Sequence, residues 1–381
     1  MANQQSIEQF KAGRFEKGIN YKYFVPTDIN LQWVWSDAVL NTLLEKASVR
    51  LGELNSFARL VPNMDLFIQL HVTKEAVVSS RIEGTQTNIN EMFLPADEVK
   101  PERRNDWQEV KNYTAALNNS IKALDKLAVS SRLLKQAHKI LLTGVRGEHK
   151  LPGDFRSSQN WIGGASLADA AFIPPAHHYV HQLMGDLENF LHNEDIQVPI
   201  LIRIGIAHYQ FETIHPFLDG NGRIGRLLIT LYLVSQKILE KPLLYLSMFF
   251  EKNKSLYYEN LTRVREKNDL RHWLIYFLIG VEETATKAVE TLSAILKLKV
   301  QLEKEIQEKL GRRSTSGLKL LNYLFENPVI NVKAVEAACG VSTKTANELV
   351  TAFEENKWLK QLNESPRYRT FAFELYLNLF E

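Results

Sequence analysis

Four residues, Asp219-Gly220-Asn221-Gly222, constrain this chain more than any others. They interrupt two stretches that are otherwise apolar at helical spacing. Ile200, Leu201, Ile204, Ile206 and Ala207 predict a helix over 199–213, and Leu227, Leu228, Leu231, Tyr232 and Val234 predict a second, mostly buried one. A turn must join them. The stretch from His215 to Arg226 therefore sets one imidazole, one carboxylate, one amide and two guanidiniums between two helices bound for the core.

The chemistry of that loop follows from its residue types. Gly220 and Gly222 permit positive φ and a close approach of backbone to a ligand. The turn feeds a helix N-terminus, whose unpaired N–H groups and dipole favour an anion. Arg223 and Arg226 are one helical turn apart and face roughly the same side. Two guanidiniums beside an amide-lined anion hole suit a polyphosphate. Asp219 is a hard oxygen ligand of the kind that holds Mg²⁺ together with substrate phosphates. His215 suits general-base work near neutral pH. No Gly-Lys-Ser/Thr closes the loop, so it is not a Walker phosphate loop. Counted as a calcium loop from Asp219, it would carry Arg223 at the fifth position and Thr230 where a bidentate Glu belongs.

His215-Pro216-Phe217-Leu218-Asp219-Gly220-Asn221-Gly222-Arg223-Ile224-Gly225-Arg226 resembles, at all eight specified positions, the signature of the Fic family, His-x-Phe-x-Asp/Glu-Gly-Asn-Gly-Arg-x-x-Arg. The resemblance implies a nucleotidyl transferase that moves AMP from ATP to a protein Tyr, Ser or Thr hydroxyl. It makes His215 the base and Asp219 the Mg²⁺ ligand. Gly220, Asn221 and Gly222 become the anion hole, and Arg223 and Arg226 the clamp on the β- and γ-phosphates, with Ile224 and Gly225 inside the same ATP-binding run. Further upstream, Ser79-Ser80-Arg81-Ile82-Glu83-Gly84 resembles the family's inhibitory motif, Ser/Thr-x-x-x-Glu-Gly/Asn. Ser79 and Glu83 share a helix face, and Gly84 reads as the helix stop. The family places such a Glu on the second signature Arg, here Arg226, where a carboxylate would exclude the γ-phosphate. The stretches 155–164 and 170–175 read as a hairpin around a Gly-containing loop. They resemble the Fic flap, with Phe172 and Ile173 on the strand that would align a target segment by backbone pairing. In the pair Tyr257-Tyr258, the family's nucleotide-contacting aromatic carries onto Tyr257; some relatives place Asn near the position of Arg265.

Composition sets the class. The chain has 381 residues, 45% hydrophobic and 24% charged, with formal net charge +2. That size predicts two or three domains, and the charge gives no whole-chain argument for nucleic acid. One cysteine, Cys339, excludes an internal disulfide and points to a reducing cytoplasm. The N-terminus has no apolar signal core, and the apolar run at Trp273 to Val281 is too short to span a bilayer. No membrane association is expected. Pro and Gly are scarce and helical periodicity dominates, so the fold class is mainly α: a Fic helical core with a short β-hairpin flap, and a C-terminal winged helix-turn-helix domain.

In chain order, residues 1–120 form an N-terminal helical region. Within it, Phe24-Val25-Pro26 lies extended, a helix covers 31–57, another starts near Pro62, and the inhibitory helix occupies about 74–84. Residues 121–285 are the catalytic core, with the flap at 155–175 and the loop at 215–226. His177, His178 and His181 stand at a helix start with no cysteine or suitably spaced carboxylate, which favours solvation over zinc. A charged helix over 286–311 links domains or supports a homodimer, and Gly311 to Gly317 is the clearest linker. In 312–381, Leu318 to Phe325 is a helix, Val332 to Cys339 and Ser342 to Glu355 flank Gly340 as a helix-turn-helix, and Trp358 to Leu362 with Tyr368 to Phe373 make a wing. Lys344, Asn347, Arg367 and Arg369 are its candidate DNA contacts. Nine Lys/Arg against eight Asp/Glu is a weak basic balance, so protein binding or dimerisation competes with DNA. The readings that follow are a protein adenylyltransferase restrained by Glu83, an enzyme that removes AMP with Glu83 orienting a water, and a nucleotide-sensing transcriptional regulator.

Overall fold

The computed structural model describes residues 4–60, 64–94, 96, 99–362 and 369–380, with backbone alone at 60 and 64–67. The chain divides into two compact units, one of Met1–Leu60, Glu75–Gln86 and Gln108–Thr286, the other of Val61–Lys74, Thr87–Trp107 and Lys287–Glu381. Among the described residues, no helix is long and apolar enough to cross a membrane.

The first unit opens with four short strands, β1 (Gln4–Ser6), β2 (Gly13–Lys17), β3 (Lys22–Pro26) and β4 (Gln32–Val34); β3 contains the expected extended run Phe24-Val25-Pro26, and the other three were not foreseen. β1 pairs parallel with β4, and β2 pairs antiparallel with β3. The helix expected from 31 starts later, as α1 (Ala38–Leu60), because Asp37 accepts the N–H of Leu40 at 2.8 Å and Trp33 is buried in β4. Next come α2 (Met64–Ile82), α3 (Arg104–Ala123) and α4 (Ser131–Leu141), then α5 (His177–His192), α6 (Ile200–Ile214) and α7 (Asn221–Ser235), then α8 (Ser247–Lys252), α9 (Lys254–Lys267) and α10 (Leu270–Leu310). α2 is one continuous helix where the sequence suggested two, and Gly84 beyond it has φ +103°.

α6 is the centre of this unit. Every residue from Leu201 to Ile214 is buried, which an apolar helix achieves only when wrapped on all sides. α5 and α7 flank it, and α1 and β3 cover it. Its polar residues hold backbone: Arg203 donates to the carbonyls of Phe190, Asn193 and Ile196, the first of these at 3.1 Å. Gly205 lets α10 approach closely, since a Cβ there would sit 3.0 Å from Leu274, and Trp273 donates to the Gly205 carbonyl at 2.8 Å.

In the second unit, the expected linker over 311–317 is instead a 3-10 turn at Gly311–Arg313 leading into α11 (Ser314–Glu326). Gly317 is there for contact: a Cβ would meet Leu310 and Ile306 at 2.7 and 2.9 Å. β5 (Val329–Asn331), α12 (Val332–Cys339), α13 (Thr343–Glu355), β6 (Lys360–Gln361), β7 (Thr370–Ala372) and α14 (Glu374–Leu377) follow. Gly340 ends α12 at φ +67°, and the Ser342 hydroxyl caps α13 by accepting the N–H of Thr345. The sheet order is β5–β7–β6, all antiparallel. The two strands at 360–361 and 370–372 fall within the expected wing, whereas β5 was missed. Phe380 packs edge-on against the buried ring of His71 at 4.9 Å.

Candidate active site

The expected loop joins α6 to α7 and lies wholly in the first unit. α6 ends because His215 takes a left-handed conformation, φ 50° and ψ 61°, with its N–H still bonded to the Phe211 carbonyl at 2.9 Å. A non-glycine residue held there is strained, and its surroundings must impose it. Gly220, at φ 75°, is the cap of α7, and no side chain caps that helix. The N–H groups of its first turn are thus left for an anion.

Three side chains fix the loop's backbone. Arg156 is buried among backbone carbonyls. Its guanidinium donates to the carbonyls of His215 (2.9 Å), Ser158 (3.2 Å), Pro175 (2.5 Å) and Ile214 (3.2 Å), and its own N–H donates to Pro216 at 2.9 Å. Burial pushes its pKa down to about 10. The Asn160 amide donates to the carbonyls of His215 and Phe217 at 3.2 and 2.9 Å. His138, on α4, accepts the Gly153 N–H at Nδ1 (2.9 Å), so its proton is on Nε2, which donates to the Asp219 carbonyl at 3.0 Å. Burial pushes His138 down to about 4, which keeps it neutral, and its ring stacks on Phe217 at 3.9 Å. Asn221 also works on the loop: its amide donates to the Phe217 carbonyl and its oxygen accepts the Phe217 N–H, both at 2.8 Å. Asn221 was expected at the anion hole. Its backbone begins α7, and its side chain is committed to Phe217.

Within this frame the expected chemical groups come together. His215 Nδ1 has no hydrogen-bond partner among the described residues, and burial, then the charges of Arg156 and Arg265, push the imidazole down to about 3. It is therefore unprotonated at neutral pH. Asp219 is half-buried; its Oδ1 accepts the Gly220 N–H at 2.5 Å and lies 3.5 Å from Arg223. Gly147 passes close by, where a Cβ would sit 2.7 Å from Asp219 Oδ2. Arg223 is buried, with Nη1 3.2 Å from Glu109 and Nε without a partner.

Arg226 is buried and bonded through Nε and Nη2. Its Nε donates to the Ser79 hydroxyl (2.9 Å), and Nη2 donates to the Ser79 carbonyl (2.9 Å) and to Glu83 Oε1 (2.7 Å). Burial opposes the Glu83 charge, yet Arg226 holds that carboxyl below the usual range; in return Glu83 raises Arg226 against its own burial. The Glu83 carboxylate lies over the start of α7, since a Cβ on Gly222 would be 2.3 Å from Glu83 Oε1. Behind Ser79, the buried Glu75 accepts from Tyr113 at 2.9 Å and Ser247 at 2.5 Å, and burial pushes its pKa up to about 7. Gly225 is needed for room: a Cβ would meet Glu212 Oε1 at 2.1 Å.

The flap is shorter than a hairpin. Ile162 and Phe172 form one antiparallel bridge, with N–H···O distances of 2.8 and 3.1 Å. The Ile173 carbonyl accepts the N–H of Phe24 at 2.9 Å, so that group is already paired with β3. Phe172 packs under the Arg265 guanidinium at 3.9 Å. Tyr257 is buried in the aromatic core, its hydroxyl bonded to His208 at 2.9 Å, while Tyr258 is 40% exposed. Helical spacing could have separated the two, because Tyr257, Leu261 and Val264 share a face. Arg156, Asn160 and His138 received no role from sequence reasoning. The available signal was polarity: Arg156 and Asn160 stand in a flap segment flanked by apolar residues.

Residues 41–122 match the Fic/DOC family N-terminal domain, and residues 128–233 match the Fic/DOC family. A probable protein adenylyltransferase of Aquifex aeolicus is 28% identical over 176 residues, 46% of this chain and 52% of that protein. The protein adenylyltransferase Fic of Drosophila erecta is 26% identical over 178 residues, 46% of this chain and 33% of that protein. The chain thus spans about half the length, or less, of the curated relatives it matches. Among solved structures, a Fic family protein from Desulfovibrio desulfuricans aligns with TM-score 0.55 and 20% identity over 89% of this chain and 96% of that one. A Fic domain containing signaling protein from Bacteroides thetaiotaomicron aligns with TM-score 0.52 and 17% identity over 67% and 97%. These likenesses agree on fold, and the two matched stretches, the second of which carries the His215 loop, are a Fic/DOC family N-terminal region and a Fic/DOC family domain.

Proposed function

We propose that this protein is an adenylyltransferase that moves AMP from ATP to a Tyr, Ser or Thr hydroxyl of a target protein, and of itself, and that Glu83 restrains it. The observation that carries this reading is the placement of Glu83: an internal carboxylate sits on Arg226 over the uncapped start of α7. A site built for phosphate oxygens is thereby filled by the chain's own anion.

In the proposed reaction the target hydroxyl oxygen attacks the α-phosphorus of ATP. The bond from that phosphorus to the bridging β-phosphate oxygen breaks, and pyrophosphate leaves. His215, neutral in the free protein, takes the hydroxyl proton. The incoming triphosphate raises its pKa by offsetting Arg156 and Arg265. The α7 N–H groups and Arg223 receive phosphate oxygens, and Arg226 does so after Glu83 leaves. Tyr258, exposed beside the buried Tyr257, is the accessible aromatic for a nucleotide contact. Mg²⁺ bound by Asp219 would neutralise phosphate charge; one half-buried carboxylate fits a cation that completes its shell with water and phosphate. Ile173 has its carbonyl engaged with β3, so a target strand would pair with other flap backbone, around Phe172.

The same Glu83 carboxylate, with part of its surface exposed, could orient a water towards AMP-modified protein, which keeps AMP removal as the second reading. For 312–381 we propose a winged helix. Arg369 is not a free phosphate contact, since it donates to Asn347 at 2.9 Å and lies 3.8 Å from Glu354; Lys344 is exposed, and Arg367 is outside the described residues. These contacts favour a protein surface, including a homodimer, over DNA. Peptide mass spectrometry tests the activity: after incubation of Glu83→Gly with ATP and Mg²⁺, an AMP adduct on a hydroxyl residue is expected. Its absence from every peptide and candidate target would leave the nucleotide-sensing regulator.

A further inference from the structure

A cavity of about 540 Å³ lies between α4, α5 and the segment 152–155. That volume is within the range of small-ligand sites. None of the groups assigned to AMP transfer lines it. Three cationic side chains, Arg132, Lys135 and Lys139, line it with one carboxylate, Asp154, which stands 3.9 Å from Lys135; Arg132 and Lys139 are exposed. The buried Phe155 forms part of the wall, with Lys135 Nζ 4.3 Å above its ring and His181 edge-on at 5.4 Å. The ring is thus already covered, and a base has no free face to stack on. An excess of cations without a stacking platform selects a small anion with adjacent charges.

The wall of this cavity is also the backing of the loop. Gly153 donates to His138, which holds the Asp219 carbonyl. Phe155 lies 5.4 Å from the Phe217 ring, and the next residue, Arg156, holds the His215 carbonyl. A ligand that draws α4 and the segment 152–155 together would therefore stiffen both ends of the loop.

We propose that this cavity binds pyrophosphate or the diphosphate end of a nucleotide, and that its occupancy tightens the segment 152–156 and the loop 215–219. The regulatory meaning rests on the transferase reading; the binding does not. Calorimetry and amide hydrogen exchange on the full chain carrying Glu83→Gly test it, with pyrophosphate and then ADP, against the same chain with Arg132→Ala and Lys139→Ala added. Pyrophosphate is expected to bind two sites in the parent, one of them weakened at least about tenfold in the double variant. It should slow exchange at the Gly153 and Arg156 amides in the parent alone. Equal affinity of ADP at this site would identify the diphosphate as the recognised unit, and a site that takes ADP but not pyrophosphate would overturn the proposal. Identical isotherms and unchanged exchange in both chains would overturn it as well. A chain that binds pyrophosphate here but never labels protein would instead refute the proposed function and leave the site standing.

Discussion

The two ends of the His215–Arg226 stretch are held in different ways. At the His215 end, Arg156, Asn160 and His138 are buried and bond backbone carbonyls of the loop. At the Arg226 end, the guanidinium is buried, but its charged partner Glu83 reaches it from a side chain that is 35% exposed. Removing a holder in the first region strands polar groups in the interior, which is costly. Moving Glu83 aside returns a carboxylate to water and opens Arg226 to another anion. On the proposed function the first region is a fixed frame and the second a reversible contact.

The largest effect is expected from Arg156→Ala. It removes the Arg156 donor from the carbonyls of Ile214 and Pro175 and leaves the His215 carbonyl to Asn160 alone, and should lower unfolding free energy by about 3 kcal/mol in urea titrations. The frame account also requires that this variant stay inactive when Glu83→Gly is added; recovery of activity would place Arg156 with the reversible contact. His138 comes next. The unfolded chain protonates it near 6.5, the folded one only near 4, so the stability it contributes is present above 6.5 and lost as pH falls through that window. Wild type should lose about 2 kcal/mol through this group between pH 7 and 5, and His138→Gln should lack that part of the acid dependence. The smallest effect belongs to Ser79→Ala, which removes one hydroxyl from Arg226 and should cost about 1 kcal/mol or less. Its sign matters more than its size: a looser Arg226 should bind Glu83 less well, so labelling should rise. A fall would show that Ser79 positions Arg226 for phosphate.

Much of this contrast was written in local spacing. The apolar period on either side of Asp219-Gly220-Asn221-Gly222 placed α6, the turn and α7, and the four-residue interval from Ser79 to Glu83 put both on one face of α2. The frame was not legible, because its hydrogen bonds run to backbone atoms 55 to 81 residues away and carry no sequence period. For the same reason β1, β2, β4 and β5 went unseen, being at most five residues long and defined by their partners, while β3 was foreseen only as the extended run Phe24-Val25-Pro26. The expected linker at 311–317 failed on composition: Gly317 reads as flexible, yet it is small so that Leu310 and Ile306 can approach.

The most direct measurement uses ATP labelled at the α-phosphate, with Mg²⁺, on wild type, Glu83→Gly, and Glu83→Gly with His215→Ala. The account predicts weak labelling of protein by wild type, strong labelling by Glu83→Gly, and a loss of at least about 100-fold when His215 is removed. Equal labelling by wild type and Glu83→Gly would contradict Glu83 as the restraint, and labelling that survives His215→Ala would contradict His215 as the base.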